Sequence, residues 1–440
     1  MADNSAMLPI GCNDRNQPRP IVLLFTEFYV PGYRAGGPIR SLANLVSELK
    51  NEFDFRIVTS DRDLGKRNAY PGIRANEWQG LDGAQVLYLS PGPQRWWRIA
   101  RLLLAGDCHM IYLNSAFSRA FSMLPTWLKF LGVARRIPVL LAPRGEFSPG
   151  ALAIHPHRKR FYLAIQNFLN SYRQVVWQAS NRYEEANILA TISRRRRVVV
   201  VGPVSQIKVF VSSDMCVAAL HTASLPMAPI PTKTPGSLNL VFVSRISRMK
   251  NLSGALEILA GVQGAVHFNI YGPMEDPIIW AECQRLIDAL PPNVKACYCG
   301  ELTHDQVADV LSKHHLFFLP TCGENFGHVI LEALLAGCPV LISDQTPWRN
   351  LQAKGVGWDL PLDSVTPFQQ AIHECVAMDD MEFRKVSKQA RLFGSAAIKT
   401  SDTAAQNREM FWGMLNLSNK LDRRTKPTQE AINEGIKAQR

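Results

Sequence analysis

The sequence predicts an α/β protein with two doubly wound, Rossmann-like domains that face each other across a cleft. Short apolar runs alternate with helical stretches through most of the chain, and the same rhythm restarts after a segment rich in Pro, Thr, Ala and Ser. Such alternation is typical of parallel strands joined by crossover helices. The chain of 440 residues also exceeds the ~250–300 residues beyond which a single core stops growing.

Short apolar runs mark the strands, and apolar residues at helical spacing mark the helices. In the first half we predict strands at Ile21–Phe25, Phe55–Thr59, Val86–Leu89, Met110–Leu113, Pro138–Leu141 and Val175–Gln178. The helices between them are predicted at Pro38–Leu49, Trp96–Leu104, Phe121–Leu131 and Lys159–Leu169. In the second half we predict strands at Leu238–Val243, His267–Tyr271, Val294–Tyr298, Leu316–Leu319 and Pro339–Ser343, and helices at Leu252–Gly261 and His304–Ser312.

These elements divide the chain into three parts. We predict a first domain over residues 1–205, a second domain over 206–395, and a C-terminal helix with a charged tail over 396–440. The helix is expected to return to the first domain. The segment at about 219–237 lacks periodicity and is predicted to be a loop or linker.

Composition excludes several classes of protein. Hydrophobic residues make up 47% and charged residues 20%, an ordinary globular balance. No apolar run approaches the ~18 residues that span a bilayer, and the polar opening segment does not resemble a secretory signal. The nine cysteines are scattered, and the pair Cys297 and Cys299 has no second pair at zinc spacing. We therefore expect a reduced, cytoplasmic protein that needs neither a metal nor another cofactor.

The net charge of +12 is unevenly distributed. Residues 1–205 contain 27 Lys and Arg against 14 Asp and Glu, whereas residues 206–440 contain 22 against 23. The first half therefore carries the whole excess, and we expect it to face an anionic partner. Nucleic acid, an anionic membrane and a phosphorylated acceptor are the alternatives, and the chain contains no nucleic-acid recognition motif.

The strongest functional signal runs from Phe317 to Ala333. A predicted strand ends, a loop containing glycine follows, and a helix opens near Gly327. Backbone N–H groups and the helix dipole can hold a phosphate or a sugar oxygen in this arrangement, at the carboxyl end of a parallel strand. Glu324 lies in the loop and Glu332 in the helix, where two carboxylates can accept hydrogen bonds from sugar hydroxyls.

A second segment follows the first strand of the second domain. Arg245 and Lys250 lie five residues apart in a loop that enters a helix. Two cations near a helix N-terminus can neutralise a leaving nucleoside diphosphate without a metal. Either cation alone is better explained as a solvated loop charge.

Taken together, these segments resemble the retaining family-four glycosyltransferases of the GT-B fold. That family has an arginine and a lysine at this spacing, followed by a motif of the form E-x-F-G-x-x-x-x-E, which Glu324, Phe326, Gly327 and Glu332 match. The pair Gly36 and Gly37, between the first strand and the first helix, resembles the glycine-rich loop of the family. The resemblance covers roughly residues 20–420.

The resemblance implies a role for each matching residue. Arg245 and Lys250 bind the donor diphosphate and, with Glu324, form the catalytic set. Glu324 holds hydroxyls of the donor sugar and Glu332 holds the ribose. The remaining donor-binding residues are Gly36, Gly37, Asn325, Phe326 and Gly327, through close backbone approach and main-chain N–H groups.

The acceptor side departs from the family pattern. Histidines are frequent after the fourth and fifth strands of the family, and this chain has Asn114, Ser115 and Arg144 there. We take these three residues as acceptor-side candidates, and Arg144 is equally compatible with a structural ion pair to Glu146. Residues 143–150 instead resemble a subgroup that builds bacterial surface polysaccharides.

The resemblance implies a metal-independent retaining enzyme that moves a sugar from a nucleoside-diphosphate-sugar to a saccharide or lipid-linked acceptor. A catalytically silent nucleotide-sugar-binding subunit and a sugar-nucleotide epimerase are the competing interpretations. The mixture of tryptophan, arginine and leucine at Arg95–Leu104 is typical of helices at a membrane interface, and equally of an amphipathic helix packed on its own sheet. We expect a peripheral protein at the inner face of the plasma membrane; Arg194–Arg197 fits either a lipid contact or an interdomain charge patch.

Overall fold

The computed structural model describes residues 18–193, 208–212, 229–400 and 403–425. Two sheets form the framework. The first has eight strands in the order β3-β4-β2-β1-β5-β6-β7-β8, all parallel except β3, which runs antiparallel to β4. Its strands are β1 (Ile21–Phe25), β2 (Asp54–Ser60), β3 (Trp78–Leu81), β4 (Ala84–Leu89), β5 (Met110–Asn114), β6 (Val139–Ala142), β7 (Val175–Ala179) and β8 (Val209–Val211). The helices of this half are α1 (Gly37–Leu49), α2 (Pro93–Ala105), α3 (Leu124–Phe130), α4 (Pro149–Ala153), α5 (Pro156–Leu169) and α6 (Arg182–Ser193).

The second sheet has six parallel strands in the order β11-β10-β9-β12-β13-β14. Its strands are β9 (Ser237–Val243), β10 (Ala265–Tyr271), β11 (Val294–Tyr298), β12 (Leu316–Leu319), β13 (Val340–Ser343) and β14 (Gly357–Leu360). The helices that follow are α7 (Leu252–Leu259), α8 (Pro277–Asp288), α9 (His304–Ser312), α10 (His328–Ala336), α11 (Thr366–Ala377), α12 (Asp380–Thr400) and α13 (Thr403–Thr425). Two parallel-sheet α/β domains are therefore present, which confirms the predicted fold class.

Continuous apolar runs form the central strands because both faces of each sheet are covered by helices. Every residue of β5 and of β12 is buried. In the first sheet, strands β2 to β4 lie on one side of β1, and β5 and the later strands lie on its other side. In the second sheet the same change of side occurs at β9. Ligands of open α/β sheets bind beyond the carboxyl ends of the strands at such switch points. The fold thus directs attention to the loops after β1, β9 and β12.

The last two helices join the domains. Helix α12 packs on α10, where Ser387 Oγ donates to the Gly337 carbonyl oxygen at 2.6 Å. Helix α13 then lies on the first domain, whose core includes Met410, Phe411 and Met414. Arg408 Nε lies 2.6 Å from Glu52 Oε1 of the first domain.

Several elements differ from the sequence predictions. The helix predicted at Phe121–Leu131 is divided into a π-helical turn, Arg119–Met123, and α3, because Pro125 in the first turn of α3 has no N–H to donate. Strand β3 is an antiparallel edge strand that the parallel pattern did not predict. Much of the predicted linker, and the whole of Arg194–Arg197, lies outside the described residues. None of the described helices is long and apolar enough to cross a membrane.

Candidate active site

A cleft of about 1380 Å³ separates the two domains. Its walls come from the loops that follow β1, β6 and β7 in the first domain and β9, β10, β12 and β13 in the second. These are carboxyl ends of parallel strands, as expected for a ligand site in an open α/β sheet. The predicted donor-binding residues all line this cleft: Gly36, Gly37, Arg245, Lys250, Glu324, Asn325, Phe326, Gly327 and Glu332.

The loop after β12 is shaped by its own polar groups. Thr321 Oγ1 donates to the carbonyl oxygens of Met249 and Gly323, each at 3.0 Å. Gly327 then takes φ 79°, in the left-handed region, immediately before α10. A Cβ at Gly327 would also lie 2.7 Å from the Ile330 side chain. Glycine is therefore required where the loop turns into the helix.

The structure brings Lys250 and Glu324 together. Lys250 Nζ lies 2.7 Å from Glu324 Oε1, and both side chains are largely buried. The Cys322 N–H donates to the Met249 carbonyl oxygen at 2.8 Å, which ties the loop after β12 to the loop after β9. A cation and a carboxylate are thus fixed beside the N-terminal end of α10. Such an arrangement can hold a phosphate and a hydroxyl at neighbouring positions.

Arg245 lines the same cleft but has a different partner. Its Nη1 lies 2.8 Å from Glu275 Oε2, and both side chains are about one-third exposed. The convergence of Arg245 and Lys250 on one diphosphate stays a prediction, because in the structure each cation is paired with a different carboxylate.

Glu332 lies one turn into α10 and is almost fully buried. Its Oε1 accepts from Arg40 Nη1 of the first domain at 2.6 Å. Burial raises the pKa of the Glu332 carboxyl, and the Arg40 guanidinium opposes that rise. Arg40 also contacts His304 Nε2. Burial first, and Arg40 second, lower the pKa of His304 to about 4, so His304 is neutral near pH 7.

The glycine pair lies where the two domains meet. Gly36 has φ 77°, and Gly37 opens α1. A Cβ at Gly37 would lie only 2.7 Å from His328 Cδ2, at the start of α10. The Ser41 hydroxyl and His328 Nε2 are 2.7 Å apart. The N-terminal ends of α1 and α10 therefore face the same part of the cleft, where their dipoles favour an anion.

A family model matches the second half of the chain. Residues 196–391 match the family model described as glycosyl transferases group 1. The matched segment, which includes the second sheet, is therefore similar to the group 1 glycosyltransferases. These enzymes transfer a sugar from a nucleotide-sugar donor, and the matched segment contains Arg245, Lys250, Glu324 and Glu332. No curated protein sequence matches the chain.

Solved structures show that the chain has the GT-B fold. HepE from Anabaena, crystallised with UDP and glucose, is 15% identical with a TM-score of 0.62, covering 90% of this chain and 99% of its own. Sucrose-phosphate synthase from Thermosynechococcus elongatus is 17% identical with a TM-score of 0.63, covering 91% and 100%. WaaG, a glycosyltransferase involved in lipopolysaccharide biosynthesis, is 12% identical with a TM-score of 0.57, covering 89% and 98%. At these identities the likeness concerns the fold.

The loop residue Asn325 also bridges the cleft, whereas Phe326 is bonded within the second domain. Asn325 Nδ2 donates to Ser180 Oγ at 2.8 Å, and the Asn325 carbonyl oxygen accepts from Asn181 Nδ2 at 2.6 Å. The Phe326 carbonyl oxygen accepts from Trp348 Nε1 at 2.7 Å. The two bonds of Asn325 hold this loop against the first domain, and the bond from Trp348 ties it to the loop after β13.

On the acceptor side, only Arg144 of the three candidates lines the cleft among the described residues. Its Nε donates to Asn114 Oδ1 and its Nη2 to the Tyr112 hydroxyl, each at 2.7 Å. Ser115 Oγ donates to Glu146 Oε1 at 2.9 Å. Asn114 and Ser115 therefore lie behind the cleft wall, where they position other side chains.

Glu146 has a structural role. Its Oε2 accepts from the N–H groups of Ala116 and Phe117 at 2.5 and 3.2 Å, in addition to the bond from Ser115. Burial raises the pKa of the Glu146 carboxyl, and these three donors oppose the rise. The carboxylate thus fastens the loop after β5 to the loop after β6, whereas Arg144 turns toward Asn114 and Tyr112.

Several site residues escaped the sequence analysis. Arg40, His304 and His328 were not predicted, although Arg40 follows the glycine pair closely and His328 is inside the donor motif. Glu184 was also not predicted, because the two loops that it joins are separated in the sequence and only the fold brings them close. Its two oxygens accept from the N–H groups of Gly145 and Ser180 at 2.6 and 2.8 Å.

The contact at Gly37 yields a prediction. In Gly37→Ala, the new Cβ cannot coexist with His328 Cδ2 at 2.7 Å, so we expect the domains to separate and donor turnover to fall by at least about tenfold, as for a small misplacement in an active site. Small-angle scattering and donor turnover measure the two effects.

Gly37→Ala combined with His328→Ala should recover the compact form. Gly80→Ala, whose Cβ meets nothing closer than 3.8 Å, is the control, and an unaltered radius of gyration in Gly37→Ala would contradict the steric argument.

Proposed function

We propose that the chain is a retaining, metal-independent glycosyltransferase that moves a sugar from a nucleoside-diphosphate-sugar to a saccharide or lipid-linked acceptor in the assembly of a bacterial surface polysaccharide. The observation that carries the proposal is the pair of Lys250 and Glu324 at 2.7 Å beside the N-terminal end of α10. The complex of HepE with UDP-glucose and the description of WaaG support a donor and a pathway of this kind.

The leaving group determines which charges the site must supply. A departing nucleoside diphosphate gains negative charge, and the Lys250 ammonium has three N–H donors, so it can bind a phosphate oxygen while still donating to Glu324. The N-terminal end of α10 adds backbone N–H groups and a positive dipole end. Arg245 supplies the second cation once it turns from Glu275. In this scheme Glu324 holds hydroxyls of the donor sugar and Glu332 holds the ribose.

The acceptor is expected to approach from the first domain. Arg144 presents a cation at that wall, and hydrogen bonds to Asn114 and Tyr112 keep it in place. The family resemblance implies that the acceptor attacks the face from which the diphosphate departs. The new bond would then keep the anomeric configuration of the donor.

A surface on the first domain supports membrane association. Helices α2, α3 (with the turn that follows it) and α5 carry exposed apolar side chains beside exposed cations. The buried residues of these helices pack on one face of the first sheet. We call this the apolar–basic surface, and its residues are Trp97, Arg101, Leu104, Leu131, Arg135, Arg136, Arg158, Arg160, Phe161 and Phe168. Phe168 is 87% exposed, and the Arg101 guanidinium lies 5.4 Å from the Trp97 ring. Cations near an anionic leaflet contribute about 1 kcal/mol each.

The first prediction from this proposal concerns Lys250. Lys250→Ala should lower kcat by about 10²–10³, as for loss of a preorganised electrostatic donor. Donor turnover is measured alongside thermal unfolding. Lys313→Ala, which removes an exposed ion pair with Asp309 in the same domain, should turn over like the wild type. Normal kcat in a folded Lys250→Ala variant would refute the role, and a wild type that binds nucleotide yet neither transfers nor hydrolyses the donor would favour a silent binding subunit.

Stereochemistry and metal dependence provide the second prediction. We expect an NMR time course to show that the product keeps the anomeric configuration of the donor, and we expect EDTA to leave the rate unchanged because protein cations neutralise the diphosphate. Inversion would contradict the proposed reaction class. Activity that EDTA abolishes and manganese restores would contradict metal independence.

The third prediction concerns the apolar–basic surface. Replacing Trp97, Arg101 and Leu104 together by Ala should reduce co-sedimentation with anionic vesicles several-fold, and salt should weaken wild-type binding because exposed charges are screened beyond ~10 Å at 0.1 M. Replacing Met381, Lys388 and Leu392 of α12, a similarly exposed set in the second domain, is the matched control. Equal binding to neutral vesicles, or equal losses in both variants, would reject this surface as the membrane contact.

A further inference from the structure

Arg40 makes an ion pair between the domains at a carboxylate of the donor site. It lies in the first turns of α1, three residues after Gly37, and its Nη1 donates to Glu332 Oε1 of α10 at 2.6 Å. The Glu332 side chain is only 9% exposed. In the closed cleft, a residue of the first domain therefore supplies the counter-charge for a buried carboxylate of the second.

The charged and titratable groups around Glu332 come from three helices. Arg40 comes from α1, His304 from α9, and His328 from the start of α10 itself. His304 contacts Arg40, and His328 is paired with Ser41. Burial raises the pKa of Glu332, and Arg40 is the only group that lowers it. Among the described residues, Arg40 is thus the main source of stabilisation for the ionised form of Glu332.

The ionisation state decides what Glu332 can bind. An ionised carboxylate has two acceptor oxygens, whereas the protonated acid carries one O–H donor and keeps less acceptor capacity. Neighbouring ribose hydroxyls donate hydrogen bonds best to two acceptor oxygens. Hydrogen bonds to an ionised acceptor are also roughly twice as strong as those between neutral groups. Arg40 bonds Oε1, and Oε2 remains to accept a hydroxyl.

We propose that Arg40 is a positioning residue for donor binding: it holds Glu332 in the second domain as an oriented carboxylate, so that tight binding of the donor ribose depends on a residue of the first domain. This inference rests on the proposed role of Glu332 in binding the nucleotide ribose. It differs from a phosphate contact, because Arg40 acts through Glu332 and not on the diphosphate.

The proposal has a linkage consequence. Without Arg40, Glu332 becomes protonated at a higher pH, and ribose binding must then release one proton. Binding that releases one proton changes its Kd about tenfold for each pH unit below the pKa of the group. When the cation at position 40 is removed, the Kd should therefore fall as the pH rises. The wild-type Kd should begin to rise only at a lower pH.

The experiment measures the Kd of UDP by calorimetry between about pH 7 and 8.5, where the terminal phosphate, with a pKa of about 6, is already ionised. The full-length wild type is compared with Arg40→Gln, Arg40→Lys and Glu332→Gln. Arg34→Gln removes another arginine that pairs across the domains, with Glu301 at 2.9 Å, and controls for the loss of a cross-domain ion pair as such.

We expect Arg40→Gln to bind UDP about tenfold more weakly than the wild type near pH 7 and to recover as pH rises. Arg40→Lys and Arg34→Gln should keep the wild-type profile, and Glu332→Gln should bind weakly with no dependence on pH. In Glu332→Gln, the further change Arg40→Gln should have no added effect.

Two outcomes would overturn the inference alone: Arg40→Gln binding like the wild type, or a loss that is equal at every pH, which would indicate direct contact with the diphosphate. If neither UDP nor any of GDP, ADP and dTDP binds the wild type, the proposed donor site fails and this inference fails with it.

Discussion

The close approach of α1 and α10 is the contact on which the site depends. The N-terminal ends of these helices meet across the cleft at Gly37 and His328, and there is no room between them for a Cβ. Because this contact sets the distance between the domains at the switch point of each sheet, it also determines which side chains can reach across. From neighbouring positions of α1, Arg40 reaches Glu332 and Ser41 reaches His328.

Polar contacts across the cleft follow from that approach. Tyr33 and Arg34, from the loop after β1, contact Glu301 of the second domain, and Asn325 is bound to Ser180 and Asn181 on the opposite side. A buried carboxylate is costly unless it is paired and hydrogen-bonded. Among the described residues, Glu332 finds its cation in the other domain, so the two domains are linked electrostatically as well as sterically.

The first-domain wall of the cleft is built differently from the second-domain wall. Glu146 and Glu184 line the first-domain wall and accept hydrogen bonds from backbone N–H groups, and so they hold its loops together. Arg144 has φ 55°, an uncommon conformation for a residue with a side chain, and its guanidinium is fixed by Asn114 and Tyr112. This wall thus presents the oriented Arg144 guanidinium to the cleft.

The sequence by itself determined the fold class, the course of the central strands and the spacing of Lys250, Glu324, Gly327 and Glu332. It could do so because apolar periodicity and a loop at the end of a strand are local properties of the chain. Only the tertiary structure decided which groups these residues face. Arg40 lies 292 positions from Glu332, and no local pattern shows that an arginine in the first helix faces a carboxylate of the second domain. The same reason explains Gly37, which needs to be glycine because His328, far along the chain, occupies the space where a Cβ would lie.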